Sequence, residues 1–471
     1  NVNQLNISGY RSHYYFEITK TGQHNEVTYC NFEKKPQALP GKEGSSVFQV
    51  AVDSLHPGNN VIRWCSFRDF QAPEGAGGDY GMEAFRPGYS YQSKFVSRTL
   101  MEYCYFTRCN GDGEIISNKA RENVYRYNTF ESNGESHVTL RHGSNTAVYG
   151  NFFLDGAGIR IKEGQHDMVY NNYFNTGNYF SIRLENYRVD PLRNILIAHN
   201  TLVGSGPVRL GGKGDYPPEE VTIYNNLFIN PTAKILEDHT GREVIINNYS
   251  SEPPVEKGFT LLKKLPGIND FDFVQPVKTL PSAKIPGEAF TDIPEVNDDP
   301  DILLDIAQNK RGKKKSAGCY EPSGKEPSLK PYATAFNTGP AYLYANQSLS
   351  QLEMKVVNGI RKETLRRADS LLSEQPVTVT AAHCSRSAGG IHDFYSEGDY
   401  WWPDPANSDA PYIQKDGQSN PDNFSDHRLA MIRLSEITAT LTSAWLLTGK
   451  APYAAKALEH VEAWFADTAT L

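Results

Sequence analysis

The sequence predicts an all-β right-handed parallel β-helix followed by a smaller, incomplete all-α domain, and three observations predict it. A short strand pattern recurs through the first half of the 471 residues. Its later copies lie 21 to 28 residues apart, a unit too short to bury an apolar face except by stacking on its neighbours. Beyond residue 345 the apolar residues change from alternation to helical spacing.

The repeat is a run of alternating apolar residues, then Cys or Asn, then one residue, then Phe or another apolar side chain. It reads VTYCNF at 27–32, VIRWCSF at 61–67, MEYCYF at 101–106, VYRYNTF at 124–130, VYGNFF at 148–153 and VYNNYF at 169–174. ILIAHNTL at 195–202, VTIYNNLF at 221–228 and VIINNYS at 244–250 continue it. The marker residues are Cys30, Cys65, Cys104, Asn128, Asn151, Asn172, Asn200, Asn226 and Asn248. Stacked turns bring equivalent Asn residues together, where one side chain satisfies the backbone of the next turn. The three Cys are expected as small buried members of the same stack. The wider early spacings imply inserted loops.

The pattern fades after residue 250. Residues 251–300 are rich in Pro and Asp, and RGKKKSAGCYE at 311–321 reads as a closing turn and strand whose basic run, Arg311 to Lys315, is a solvated loop. The β-helix domain is therefore set at 1–322, a linker at 323–344 and the α-helical domain at 345–471. Helices are expected over 352–372, 427–449 and 452–467. The chain reads as a fragment at both ends, with the helical domain cut in mid-fold.

Composition excludes several classes. With 22% charged and 39% hydrophobic residues the chain is globular rather than disordered. A net charge of -8 argues against nucleic acid as partner, and it requires a locally basic groove for any anionic ligand. No apolar stretch long enough to span a membrane occurs. No C-x-x-C pair suggests structural zinc. A basic-then-apolar leader is absent, so any signal peptide lies outside this chain.

One window carries chemistry. In NGDGEIISNK at 110–119, Asp112 and Glu114 are two residues apart, and Lys119 follows five residues later. Arg141 lies one repeat further on, and Arg160 in GIRIKEG lies near one more. Stacked strands about 4.8 Å apart would place these side chains on one wall. Such a set suits β-elimination of a uronic-acid polymer. A base takes the proton beside the carboxylate, and a cation neutralises the charge that builds there. Lys119 suits the base if neighbouring positive charge depresses its pKa. Paired carboxylates suit Ca2+.

GDGEIISNK, NVYRYNTF and TLRHG together resemble polysaccharide lyase family 6, which includes alginate lyases and a dermatan-cleaving chondroitinase built on parallel β-helices. The resemblance covers roughly residues 1–322. It implies Lys119 as base, Arg141 as acid, and Asp112 and Glu114 as Ca2+ ligands. A third ligand is implied in GGDYGMEAFRPG at 77–88, where Tyr80 stands in place of the family's Asn and Asp79 or Glu83 substitutes. Arg86, His142, Arg160 and Lys162 are the implied substrate contacts, alginate the implied substrate, and a secreted or periplasmic location follows. A non-catalytic carbohydrate-binding β-helix and a lyase acting on dermatan or chondroitin sulfate are the alternatives.

In the second domain, GDYWWPDP and NPDNF within 393–428 place aromatics between acids and prolines. They resemble the start of the α/α-toroid alginate lyase domain of polysaccharide lyase family 5. That family's Asn-Asn-His stretch does not occur, so no competent second active site is expected here.

Overall fold

The computed structural model describes residues 1–470 apart from 40–41, 77, 186–191, 214, 254–255, 263–303, 312–316, 321–329, 341–360 and 408–409. It divides into two compact units, Asn1–Leu343 and Tyr344–Leu471.

The first unit is a parallel β-helix. Among the described residues its strands form sheets of ten, eleven and nine strands, each strand pairing with the equivalent strand one turn before and after it. Every pairing in these three sheets is parallel, as in Val124–Arg126 between Leu100–Glu102 and Ala147–Tyr149. The closed stack hides strand edges everywhere except at the two ends.

The recurring markers sit at the corner between the first two sheets. The residue before each is left-handed: Tyr29, Trp64, Tyr103, Tyr127, Gly150, Asn171, His199, Asn225 and Asn247 all have φ between 51° and 68°. That bend turns the next side chain inward and leaves backbone groups to be satisfied. The asparagines satisfy them. The backbone N–H groups of Asn128, Asn151, Asn172, Asn200 and Asn226 each donate to the side-chain oxygen of the next Asn, at 2.9–3.0 Å. Each of these side-chain amides also donates to a backbone carbonyl, as Asn172 does to Val148 at 2.8 Å. The buried cysteines extend the column, with Cys30 N–H donating to Cys65 Sγ at 3.4 Å. Two residues on, Phe32, Phe67, Phe106, Phe130, Phe153 and Phe174 stack with ring centroids 4.6–5.1 Å apart. The repeat's Phe therefore locks the register that the Asn ladder satisfies.

An Asn172→Leu substitution leaves the buried Asn151 N–H without its partner. One orphaned group costs about 1–3 kcal/mol. A lowered urea midpoint with an unchanged slope is the expected outcome, and unchanged stability would deny the ladder its role.

Residues 304–340 depart from the expectation. Arg311 is buried, not solvated, donating to Asn171 Oδ1 at 2.7 Å and to Gly318 C=O at 2.9 Å. Lys313 to Lys315 lie outside the described residues, as do 263–303. Residues 330–340, read as linker, lie against the solenoid. Tyr332 packs edge-on to Tyr103 and Tyr127, and Gly339 N–H donates to Trp64 C=O at 2.8 Å.

In the second unit helices occupy 361–371, Asp426–Thr448 and Ala451–Phe465, and residues 352–360 lie outside the described residues. Gly449 ends the longest helix in a left-handed cap with φ 68°. The 393–428 segment is organised around buried Glu397, which accepts from Arg386, Tyr395, Tyr412 and the Phe424 N–H. Trp401–Trp402 pairs antiparallel with Ile413–Gln414 and leaves Trp401 42% exposed. No helix among the described residues is long and apolar enough to cross a membrane.

Candidate active site

The third sheet builds the site because its strands alternate. Phe85, Ile116, Val138, Leu140, Ile159 and Ile161 point into the core, so the residues between them face out. The register then stacks outward residues in columns. Gln49 pairs with Arg86, Ser117 with Thr139, Thr139 with Arg160, Arg160 with Arg183, and Arg183 with Arg209. Two residues along, Arg141 pairs with Lys162 and Lys162 with Glu185. Asn118 pairs with Leu140, so Lys119 continues the Arg141 column one turn earlier, its N–H held by Pro87 C=O at 2.8 Å.

The cations on this wall are largely covered: Lys119, Arg141, Arg160 and Arg86 expose 12%, 19%, 16% and 14% of their side chains. Buried carboxylates fix them. Glu114 Oε1 lies 3.4 Å from Arg141 and 3.5 Å from Arg160, and its other oxygen accepts from Ser117. Glu83 lies 3.4 Å from Arg86 and 3.9 Å from Lys119. Arg86 also donates to Gln49 at 2.7 Å and lies over the Tyr89 ring. Arg160 donates to both oxygens of Glu185, at 3.0 and 2.8 Å.

Electrostatics follow from this packing. Burial, with help from Arg86 and Arg141, lowers the Lys119 pKa against the opposing pull of Glu83 and Glu114. Burial alone would raise Glu114, but Arg141, Lys119, Ser117 and Arg160 outweigh it and hold the carboxyl below its ordinary range. Asp112 is pushed up to about 7, first by burial and then by the charge of Glu83. Burial also lowers Lys162, reinforced by Arg141 and Arg160.

The structure brings Lys119, Arg141, Arg160 and Lys162 onto one wall, with Arg86 one turn before Lys119. His142 is different. It occupies a left-handed turn after Arg141, with φ 63°, and its ring pairs with Glu163, itself fully buried. It braces the turn that presents Arg141. Asp79 does not join the site: it is exposed, and the buried carboxylate of its segment is Glu83. Gln49, His137, Glu163 and Glu185 were not singled out from the sequence. Their signal is register alone, since each stands in or beside a column that only the pairing of turns defines.

The donor set does not form a Ca2+ cage. Tyr80 turns its hydroxyl to Ala38 N–H at 2.8 Å. Asp112 spends one oxygen on Gly81 N–H at 2.6 Å and the other on Glu114 N–H at 2.9 Å. Both Glu114 oxygens meet Arg141, Arg160 and Ser117. Among the described residues no three His, Cys, Asp or Glu side chains converge to hold a metal ion.

Residues 8–189 match the family model described as Chondroitinase B, and residues 378–471 match the one described as Alginate lyase. Among solved structures, the chain is similar to the polysaccharide lyase family 6 alginate lyase AlyGC, with 26% identity over 55% of this chain and 39% of that one, at a TM-score of 0.46. A mannuronic-acid-specific family 6 lyase from human gut microbiota matches with 26% identity over 54% of this chain and 62% of that one, at 0.45. An alginate lyase from Bacteroides ovatus matches with 39% identity over 23% of this chain and 29% of that one, at 0.21. The chain thus spans less than two thirds of each of these structures. The comparison with curated proteins finds no match.

Proposed function

We propose that the β-helix unit is a polysaccharide lyase that cleaves alginate by β-elimination, with Lys119 as base and Arg141 at the leaving oxygen. The observation that carries this reading is the column in which Lys119 and Arg141 face outward on adjacent turns, Lys119 beside the buried carboxylate of Glu83 and Arg141 beside that of Glu114. Covered by its neighbours and lowered in pKa, Lys119 reaches its neutral form more readily than an exposed lysine, and only that form accepts a proton. It takes the proton from C5 of the uronate. The electron pair forms the C4–C5 double bond as the C4–O bond breaks; Arg141 hydrogen-bonds the departing oxygen as that oxygen takes up a proton from water, and Lys119 returns the C5 proton to solvent.

The enolate-like charge on the substrate carboxylate needs fixed positive partners. We assign that role to Arg86, one turn before Lys119, whose guanidinium plane suits a carboxylate, and leave Arg160, three turns from Arg86, to the next carboxylate along the wall. No step is routed through Ca2+, for which no three carboxylates converge among the described residues. The β-helix itself matches the Chondroitinase B model, and substrate choice rests on the Alginate lyase model matched by the second unit of the same chain. Such an enzyme acts on a polymer outside the cytoplasm, and a secreted or periplasmic location belongs to the same proposal.

The test incubates the protein with alginate and with dermatan sulfate, each with and without a chelator, and follows the ultraviolet absorbance of the unsaturated uronate. Absorbance from alginate at a rate the chelator leaves unchanged is expected. Product from dermatan alone would transfer the substrate assignment to the family named by the first model. A rate lost to the chelator and restored by Ca2+ would contradict the arginine assignment.

A further inference from the structure

The catalytic wall does not end at Arg160. Its outward column continues with Arg183 and Arg209 on the next two turns, and beside them lies a depression of about 300 Å³. Arg183, Glu185, Arg209, Lys213, Glu237 and Asp238 supply its polar lining. The acids hold the cations in place. Glu185 lies 2.9 Å from one terminal nitrogen of Arg183, Glu237 lies 3.2 Å from Arg209 Nε, and Asp238 pairs with Lys213. Each guanidinium is thus oriented through part of its donor set, and further N–H groups remain for a ligand.

We infer that this depression is a distal subsite that binds the carboxylate of a uronate residue well away from the cleaved bond. The inference rests on the proposed lyase reading for its substrate class. Arg209 lies three turns beyond Arg141, about 14 Å at the usual strand spacing. One turn of the solenoid is close to the length of one pyranose in an extended 1,4-linked chain. Successive residues of such a chain turn their carboxylates to alternate sides, so a polyuronate lying along the solenoid axis presents one to the wall about every second turn, and Arg160 and Arg209 stand two turns apart. The carboxylates of Glu185, Glu237 and Asp238 oppose loose attraction of anions, so the site selects a group that fits the guanidinium forks over general negative charge.

The test compares oligouronates of three and six residues on the full chain. In Arg209→Ala, KM for the hexamer is expected to rise about tenfold, the scale of one lost hydrogen bond to a charged group. The hexamer's kcat and the trimer's KM should stay as they are. Lys213→Glu serves as the second variant, because an 84% exposed side chain can be replaced without disturbing the fold. It should raise the hexamer's KM in the same sense. Equal effects on trimer and hexamer, or no effect in either variant, overturns the subsite. Calorimetric binding of the hexamer separates this from the lyase reading. If the wild type makes no unsaturated product yet binds the hexamer more tightly than Arg209→Ala does, the subsite stands and the lyase reading falls. If it binds the hexamer no more tightly than the variant, the subsite falls.

Discussion

Lys119→Ala is expected to reduce formation of unsaturated product from alginate by about 10²- to 10⁴-fold, the range that a positioned general base supplies. The loss should fall on kcat, because Arg86 and Arg160 keep their Gln49 and Glu185 partners and so stay in place for the substrate. The fold should survive as well. The closest anion to the Lys119 ammonium is Glu83 at 3.9 Å, and Glu83 keeps Arg86. The pH profile gives a second readout. Burial lowers the Lys119 pKa, so the wild-type rate should climb with pH and level off below the range of an exposed lysine. The residual rate of the variant should lack that limb. A variant that keeps wild-type kcat, with the limb intact, removes Lys119 from the chemistry.

Arg141→Ala is expected to cost about 10²- to 10³-fold in kcat, the scale of removing one donor aimed at developing charge. Its partner Glu114 keeps Arg160 and Ser117, so the wall should hold. Arg141→Lys discriminates further. It keeps the charge but loses the planar fork, and partial activity would show that charge is the main contribution. A change in KM alone would make Arg141 a binding residue. His142→Ala should act through this same side chain, since the His142–Glu163 pair fixes the turn that follows it.

Much of the β-helix was legible because its repeat is written in side chains with a physical duty. Asn at the corner satisfies backbone, and Phe two residues later fills the core, so both recur visibly. What stayed hidden has no local signature. Residues 330–340 read as a polar linker, and only tertiary packing shows that Tyr332 covers Tyr103 and Tyr127. Arg311 read as surface charge because its partner Asn171 lies far away along the chain. In the site, Lys119 and Arg141 could be placed by repeat length alone. Glu83 could not be preferred over Asp79, because four residues of loop decide which carboxylate turns inward. The Ca2+ expectation came from paired carboxylates and the family resemblance, and repeat spacing could not say that Glu114 faces Arg141 and Arg160.

The central claim is that one sugar linkage meets Lys119 and Arg141 together. A crystal structure of the Lys119→Ala variant with a bound oligouronate tests it most directly. The account predicts a uronate C5 within reach of the position a lysine ammonium would occupy, with the glycosidic oxygen about 3 Å from the Arg141 guanidinium. An oligosaccharide seated on either of the other two sheets, or one that leaves Arg141 without contact, would contradict it.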